Sequence, residues 1–558
     1  MCGIVGGFGH DIAEDALSSA VNALHHRGPD GRGIFFDGER RLAMGHARLS
    51  VIDLETGAQP LYAADGALVP VCNGEIYDFR RIRSELLGRG YSFQTKSDSE
   101  VILHLYREHG LAFTNHLRGE FAFLLLDKAR QKLLAVRDRF GIKPLYFNRQ
   151  NGKYIFASEA KAIFATGRLR PRLNVVAIRD YLSSIIPNSI FEGVETVPAG
   201  CVLEVDLRSG RHEVRRYWDL DLPAGDENGS NEELEPHLRA VRTAVEEAVR
   251  LRLQADVPVG VYLSGGLDSA IVAATAAKQL SHRLKAFTIA FPDNDAYDES
   301  SIARSMAEKI GAELHTVACD QDTLIQNLED SLWATELPAL NLHGVAKFLL
   351  SRLAQQHVKV VLTGEGADEI FLGYRKYRRR HAPWNKRLPG RIGHPDGKLE
   401  QQIRSAMPAY NRLFARLPQY STRRMFHPRH RKMLKESHPF DTLSGRIDPA
   451  QFEGLSIQSQ IQYISIKSNL TPYILNVLGD RAEMSHAIEG RTPFLDHRLF
   501  ECARMIPDQM KIRGETDKFV LREAFKNDIT EEIYRREKSD FKAPPLSTKW
   551  GGLTQLTV

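Results

Sequence analysis

Val257–Leu263 is a nearly continuous apolar run that leads straight into Ser264-Gly265-Gly266-Leu267-Asp268-Ser269 and then into an Ala-rich helical stretch, Ala270–Leu280. A strand apolar on both sides belongs inside a sheet covered by helices. Lys285–Phe291, Glu313–Ala318 and Val358–Thr363 read as further strands, with a helix over Ser300–Ile310. That alternation predicts an α/β unit with a parallel sheet and helices on both faces. The loop after the first strand has its own chemistry. Two glycines let the backbone approach a ligand closely, the Ser264 and Ser269 hydroxyls can donate, and the helix start offers unpaired N–H groups, which together suit phosphate. Asp268 is unfavourable in an anion site unless a divalent cation stands between it and the phosphates, so Mg²⁺ is implied. The loop is neither the Walker A pattern nor the dinucleotide fingerprint. An incidental Gly-rich turn does not account for these residue types in this strand-to-helix context.

A second loop, Thr363-Gly364-Glu365-Gly366-Ala367-Asp368-Glu369, follows Val358–Leu362, again at the carboxyl end of an expected parallel strand. Ligands of open α/β sheets gather at that edge. Three acids so close together repel one another unless they share a cation or a cationic substrate, and Asp368 is the candidate second Mg²⁺ ligand; a solvated acidic turn is the alternative. Lys518, within Gly514–Glu523, is on its own a surface lysine. From about Pro389 onward the pattern is mainly helical, without internal repeats.

The N-terminal half has a different texture. Gly33–Phe36, Leu42–Leu49, Leu68–Cys72, Phe121–Leu126, Lys132–Arg137 and Tyr154–Ala157 read as short strands, several with period-two alternation. Phe79–Leu87 and Ser99–Glu108 have helical spacing, and Ser97-Asp98-Ser99-Glu100 offers N-cap chemistry. An α+β fold with layered sheets is expected. Leu220–Asn231 is rich in acids and turn formers, which places a linker at residues 218–234 between domains 2–217 and 235–558. A chain of 558 residues is too long for one core. No apolar run reaches transmembrane length and the N-terminus lacks a signal-type segment, so a cytoplasmic protein with no membrane partner is expected. A net charge of +5 is too weak to announce nucleic acid, and the basic run Arg375–Arg380 reads as a solvated helix face. Five widely spaced cysteines without CxxC spacing argue against disulfides or zinc, and Cys72, Cys201, Cys319 and Cys502 read as ordinary thiols.

Cys2 is a separate case. Initiator methionine is normally removed before a small residue, which would make Cys2 the mature N-terminus. A free α-amino group titrates near pH 8 and can take the thiol proton, so one residue holds nucleophile and base.

Met1-Cys2-Gly3-Ile4-Val5-Gly6, His26-Arg27-Gly28-Pro29-Asp30, Arg48-Leu49-Ser50, Asn73-Gly74-Glu75-Ile76-Tyr77 and Ser97-Asp98-Ser99-Glu100 resemble, in order and spacing, the class II glutamine amidotransferases, which have an N-terminal nucleophile fold. Ser264–Ser269 resembles the pyrophosphate loop of N-type ATP pyrophosphatases. With Thr363–Glu369 and Ser485–Asp496, nearly the whole chain resembles the glutamine-hydrolysing asparagine synthetase family. The resemblance implies that Cys2 attacks the glutamine carboxamide while Asn73 and the Gly74 N–H stabilise the oxyanion. It places Arg48 on the glutamine α-carboxylate, Glu75 and Asp98 near the α-amino group, and the Val51 backbone along the site. In the second domain it implies ATP as co-substrate, with Ser264, Gly265, Gly266, Leu267, Asp268 and Ser269 around pyrophosphate. Ile289, Thr363 and Gly364 would hold adenosine, Asp268 and Asp368 Mg²⁺, and Glu365 and Lys518 the acyl-adenylate region. Ammonia freed at Cys2 would travel between the domains, and a homodimer is the assembly the resemblance suggests.

The acceptor stays open at this point. Family members commonly carry an aromatic-acid motif in the region of Thr335–Gly344, which is apolar here, and Ala where this chain has Gly490. Gly490 is expected to enlarge the pocket it lines. The acceptor is therefore aspartate or another small-molecule carboxylate, such as a sugar acid or a secondary-metabolite acid. A tRNA-modifying ATP pyrophosphatase or a non-catalytic scaffold would not need Cys2, Arg48, Asn73 and Asp98. Lys542–Val558 has loop composition.

Overall fold

Apolar alternation in the N-terminal half sorts side chains onto two sheets. The computed structural model describes residues 2–182, 186–224, 233–378, 426–437, 439–539 and 541–545; residues 225–232 of the expected linker, Arg379 and Arg380, the stretch 389–425 and the tail from 546 lie outside them. One antiparallel sheet has the order Gly31–Asp37, Leu42–Arg48, Cys2–Phe8, Lys153–Ala157, Tyr146–Gln150 and Val194–Thr196. The other runs His212–Arg216, Cys201–Asp206, Lys132–Arg137, Arg118–Asp127 and Leu68–Tyr77. Ile4, Met44 and Phe156 face Val69, Val71 and Leu124 in a core between the sheets. Alternate residues such as Val5 and Ala43 point outward to the helices Glu14–Asn22 and Ala160–Ala165. On the far side Cys72, Ile76, Phe121 and Phe123 pack under the helices Phe79–Gly88 and Val101–His109. This is a four-layer sandwich, helix on sheet on sheet on helix.

The second half is built on a five-stranded sheet in the order Glu313–Ala318, Lys285–Ala290, Val259–Tyr262, Val360–Leu362 and Glu489–Arg491. Every pairing in it is parallel. Val261 faces the helices Leu267–Gln279 and Leu234–Arg252, and its neighbour Tyr262 faces His343–Gln355, so both faces are covered. The helical C-terminal part includes Ile457–Ser465, which continues into a π-helix over Ile466–Arg481 with Pro472 inside it. Such wide helices are rare and gather at functional sites.

One apolar core crosses the domain boundary, joining Leu49, Val51, Phe140 and Ile142 to Phe494, Leu495 and Phe500. Beside it Arg118 holds Asp496 at 2.9 Å, while Arg252 reaches Glu120 at 2.8 Å and Asp496 at 3.0 Å, all of them buried. All five cysteines are free, and Cys502 is the one not fully buried.

Candidate active sites at the two ends of a buried polar interior

Cys2 begins a central strand, paired with Arg48 in register. Its nitrogen donates to Asn73 Oδ1 at 2.9 Å, and its Sγ lies 3.9 Å from the Leu49 carbonyl. Burial pushes the thiol pKa up, and the positive amino terminus pulls against it. Asn73 is fully buried and its Nδ2 has no hydrogen bond, so a donor stands free beside the thiol. Gly74 has φ +141°, and a Cβ there would fall 2.1 Å from the Glu120 carbonyl oxygen, so only glycine passes at this point.

Glu75 and Asp98 lie close together. Burial, reinforced by Asp98 and Glu489, raises the Glu75 pKa well above the usual carboxylate range. Glu75 Oε2 stands 3.3 Å from Arg491 Nη2, and Oε1 has no hydrogen bond. Asp98 is raised by burial although its Oδ2 accepts the Ile76 N–H at 2.7 Å. Arg48 is not free for a ligand carboxylate: its guanidinium donates to the carbonyls of Ile52 and Leu54 at 3.4 Å and to that of Asp53. The Val51 carbonyl is likewise taken, by the Asp256 N–H of the second domain at 2.9 Å.

At the other end a cleft of about 1160 Å³ opens at the carboxyl edge of the parallel sheet. Ser264, Gly266, Asp268 and Ser269 of one loop and Thr363, Gly364, Glu365 and Asp368 of the other line it, together with Ile289. The loops pack tightly, since a Cβ on Gly364 would lie 2.8 Å from the Ser269 nitrogen. Ser264 Oγ and Ser269 Oγ are 3.0 Å apart. Leu267 belongs to the core beneath the loop, and the Gly265 carbonyl is covered by Arg536 Nη1 at 3.2 Å.

Asp268 and Asp368 converge on Lys518 Nζ, at 2.7 Å and 2.8 Å, and Lys538 Nζ lies 2.6 Å from Asp368. Burial pushes Asp268 up; against the same burial, Lys518 and Lys538 hold Asp368 well below the usual range. Two buried carboxylates aimed at one cation are a donor set suited to a hard divalent ion. Among the described residues no group of three or more potential metal-ligating side chains occurs. The pair therefore fits Mg²⁺ held jointly with phosphate oxygens, the usual habit of that ion. The acids of the second loop separate by partner. Glu365 Oε1 faces Lys347 Nζ at 3.4 Å, while Glu369 turns away to the Tyr374 hydroxyl at 2.8 Å. Burial and the Asp368 charge raise Glu369 to about 7.

Two expectations need correction. Arg375 is exposed at the rim of the cleft, paired with Glu537, but the rest of the described run is not a solvated face: Lys376 Nζ reaches Ser465 Oγ at 2.7 Å, and Arg378 pairs with Glu515 and Asp517. Gly490 does not enlarge a pocket either. A Cβ there would fall 1.9 Å from Glu483 Oε2, so the missing methyl makes room for a buried carboxylate. Lys347, Arg536 and Lys538 also belong to the cleft and were not singled out in the sequence. Lys347 had a signal, as the one charged side chain in the otherwise apolar stretch Val345–Leu350.

A buried cysteine at position 2 beside a free amide donor, joined to a parallel-sheet cleft with two anion-type loops, defines an amidotransferase coupled to a nucleotide-dependent ligase. Residues 1–218 match the glutamine amidotransferase domain family and residues 240–556 the asparagine synthase family. "Amidase chry2" of Gibberella zeae is 34% identical, covering 97% of this chain and 86% of its own. "Amidase chyE" of Penicillium rubens is also 34% identical, over 95% and 85%. "Asparagine synthetase [glutamine-hydrolyzing] 1" of Bacillus subtilis is 31% identical, over 98% and 87%. The chain belongs to the glutamine-hydrolysing asparagine synthetase family of carbon–nitrogen ligases. Among the described residues no helix is long and apolar enough to cross a membrane.

Proposed function

We propose that this chain makes asparagine from aspartate in the cytoplasm, with glutamine as nitrogen donor and ATP split to AMP and pyrophosphate. Cys2 attacks the glutamine carboxamide, its own α-amine taking the thiol proton. Asn73 Nδ2, unbonded in the resting site, and the Gly74 N–H meet the oxyanion, where donors act on charge that appears only in the transition state. Glu75 Oε1, also unbonded, accepts from the glutamine α-ammonium with Asp98 behind it. Arg48 takes the α-carboxylate by exchanging its present carbonyl partners for a stronger acceptor.

In the second domain Ser264–Ser269 cradles pyrophosphate, and Ile289 with the Thr363-Gly364 backbone holds adenosine. Asp268 and Asp368 would hold Mg²⁺, which supplies charge neutralisation for the phosphates, and Lys518 then turns to the α-phosphate. Lys347 and Glu365, cation and anion 3.4 Å apart in the cleft wall, suit the opposite charges of an amino-acid acceptor. The observation that carries the reading is the buried polar row between the two ends. From Cys2 it runs through Asn73 and Glu75 to Arg491, and at Gly490 it meets Lys143 and Glu120 on one side and, on the other, Glu483, which stands 3.7 Å from Lys347 in the cleft wall. Ammonia, small and polar, can follow it. One observation favours a second reading, a bulkier carboxylate acceptor. Much of the cleft wall is apolar or aromatic, with Leu350, Ile474, Leu478 and Phe541 opposite the loops.

Asp268→Asn tests the nucleotide assignment. AMP formation is expected to fail while glutamine hydrolysis persists, and unimpaired AMP formation would remove Asp268 from the metal site.

A further inference from the structure

The reaction just described gives no role to the buried carboxylate of Glu483. Glu483, in the short helix Ala482–Met484, is 3% exposed and lies against Gly490, where an added Cβ would fall 1.9 Å from Oε2 and 2.9 Å from Oε1. Its Oε1 has no hydrogen bond; the nearest cation, Lys347 Nζ, stands 3.7 Å away and reaches on to Glu365 in the cleft. Across Gly490, the Gly490 carbonyl accepts from Lys143 Nζ at 3.0 Å, and Lys143 faces Glu120 Oε2, another oxygen without a hydrogen bond. Glu483 thus stands where the polar row from the glutaminase side meets the cleft. A carboxylate kept for structure would spend its oxygens on hydrogen bonds, because an unbonded buried acceptor is costly. Small cations that donate hydrogen bonds are what its free oxygen fits.

We propose that Glu483 binds nitrogen arriving as ammonium through Oε1 and takes its surplus proton, so that neutral ammonia is delivered to the acyl carbon. The proposal rests on the amide-synthetase reading above. One N–H bond of ammonium breaks with its electrons left on nitrogen, and the proton passes to Glu483. The nitrogen lone pair then forms the C–N bond, the bond from acyl carbon to the AMP oxygen breaks, and the second surplus proton leaves to Glu365. Glu483 regains its charge when Lys347 releases a proton to the cleft and takes up the one on Glu483. Four charged groups face it: Lys347 from the helix His343–Gln355, Lys143 from the glutaminase domain, Glu365 from the second loop and Asp480 from the wide helix. Burial, with Glu365 and Asp480 and against Lys347 and Lys143, brings it to about 7, where a group both accepts and releases protons at neutral pH.

Infrared difference spectra of the full chain, ammonium chloride against sodium chloride at equal ionic strength, read the carboxyl stretch without any acceptor. An ammonium-specific change is expected in the wild type and not in Glu483→Gln or Gly490→Ala, whose methyl displaces the carboxylate. The same change in all three, or none in the wild type, overturns the proposal. With Mg-ATP and aspartate, Glu483→Gln is expected to raise KM for ammonium about tenfold, the loss of one charge-assisted hydrogen bond. Glutamine hydrolysis serves as the folding control. An unchanged KM in a folded variant counts equally against it. If the wild type forms no AMP with aspartate, the acceptor assignment fails, and the infrared comparison alone decides the role of Glu483.

Discussion

Cys2 owes its chemistry to position as much as to its thiol. Burial works against the thiolate and the positive amino terminus opposes it, and Cys2→Ala removes the nucleophile while leaving the α-amine in place. That variant is expected to lose glutamine-dependent synthesis entirely and to keep synthesis from added ammonium, followed as AMP release; loss of both would contradict two separate sites. At this scale the sequence was informative where chemistry is written in consecutive residues. Asn73-Gly74-Glu75 and Ser264–Ser269 carry their function in local order, and the structure places them around Cys2 and the cleft. Glu483 was illegible for the opposite reason. It follows Asp480 and Arg481 in a charged helical stretch, and the cation that gives it meaning, Lys347, comes from a distant segment.

Among the elements, four of the five parallel strands were legible, most plainly the two central ones, where burial on both faces writes continuous apolar runs; Glu489–Arg491, charged at both ends, was not. The sandwich was legible through alternation. The wide helix Ile466–Arg481 was not, since local propensity does not distinguish its hydrogen-bond spacing from that of an α-helix. What it accomplishes is tertiary: Asn469, Tyr473, Ile474 and Leu478 line the cleft, while Asp480 pairs with Arg27, whose Nε donates to the Cys2 carbonyl at 3.1 Å. The helix that follows it and the strand Glu489–Arg491 enclose Glu483, and their stability should depend on pH through that residue. Its pKa rises from 4.5 to about 7 on folding, so its contribution is full below 4.5 and is lost as pH climbs through 7. Glu483→Gln is therefore expected to flatten the fall in stability between pH 5 and 7, by at most about 3 kcal/mol in denaturant titrations. An identical pH profile in variant and wild type would contradict the assigned burial.

In the whole molecule the two domains share a core and a buried ion network, which ties their stabilities together. Asp496 neutralises both Arg118 and Arg252. Asp496→Ala leaves two buried guanidinium groups short of a partner, at a cost of about 3–5 kcal/mol. Glutamine hydrolysis and AMP formation are expected to fall together at lower denaturant in that variant, and an unchanged midpoint for either would show the halves to be independent.

The most direct measurement is AMP and pyrophosphate formation with Mg-ATP and glutamine, with aspartate present or omitted, read together with asparagine by mass spectrometry. The account predicts aspartate-dependent AMP matched by asparagine. Steady glutamine hydrolysis with no aspartate-dependent AMP would contradict it and move the acceptor to another carboxylate.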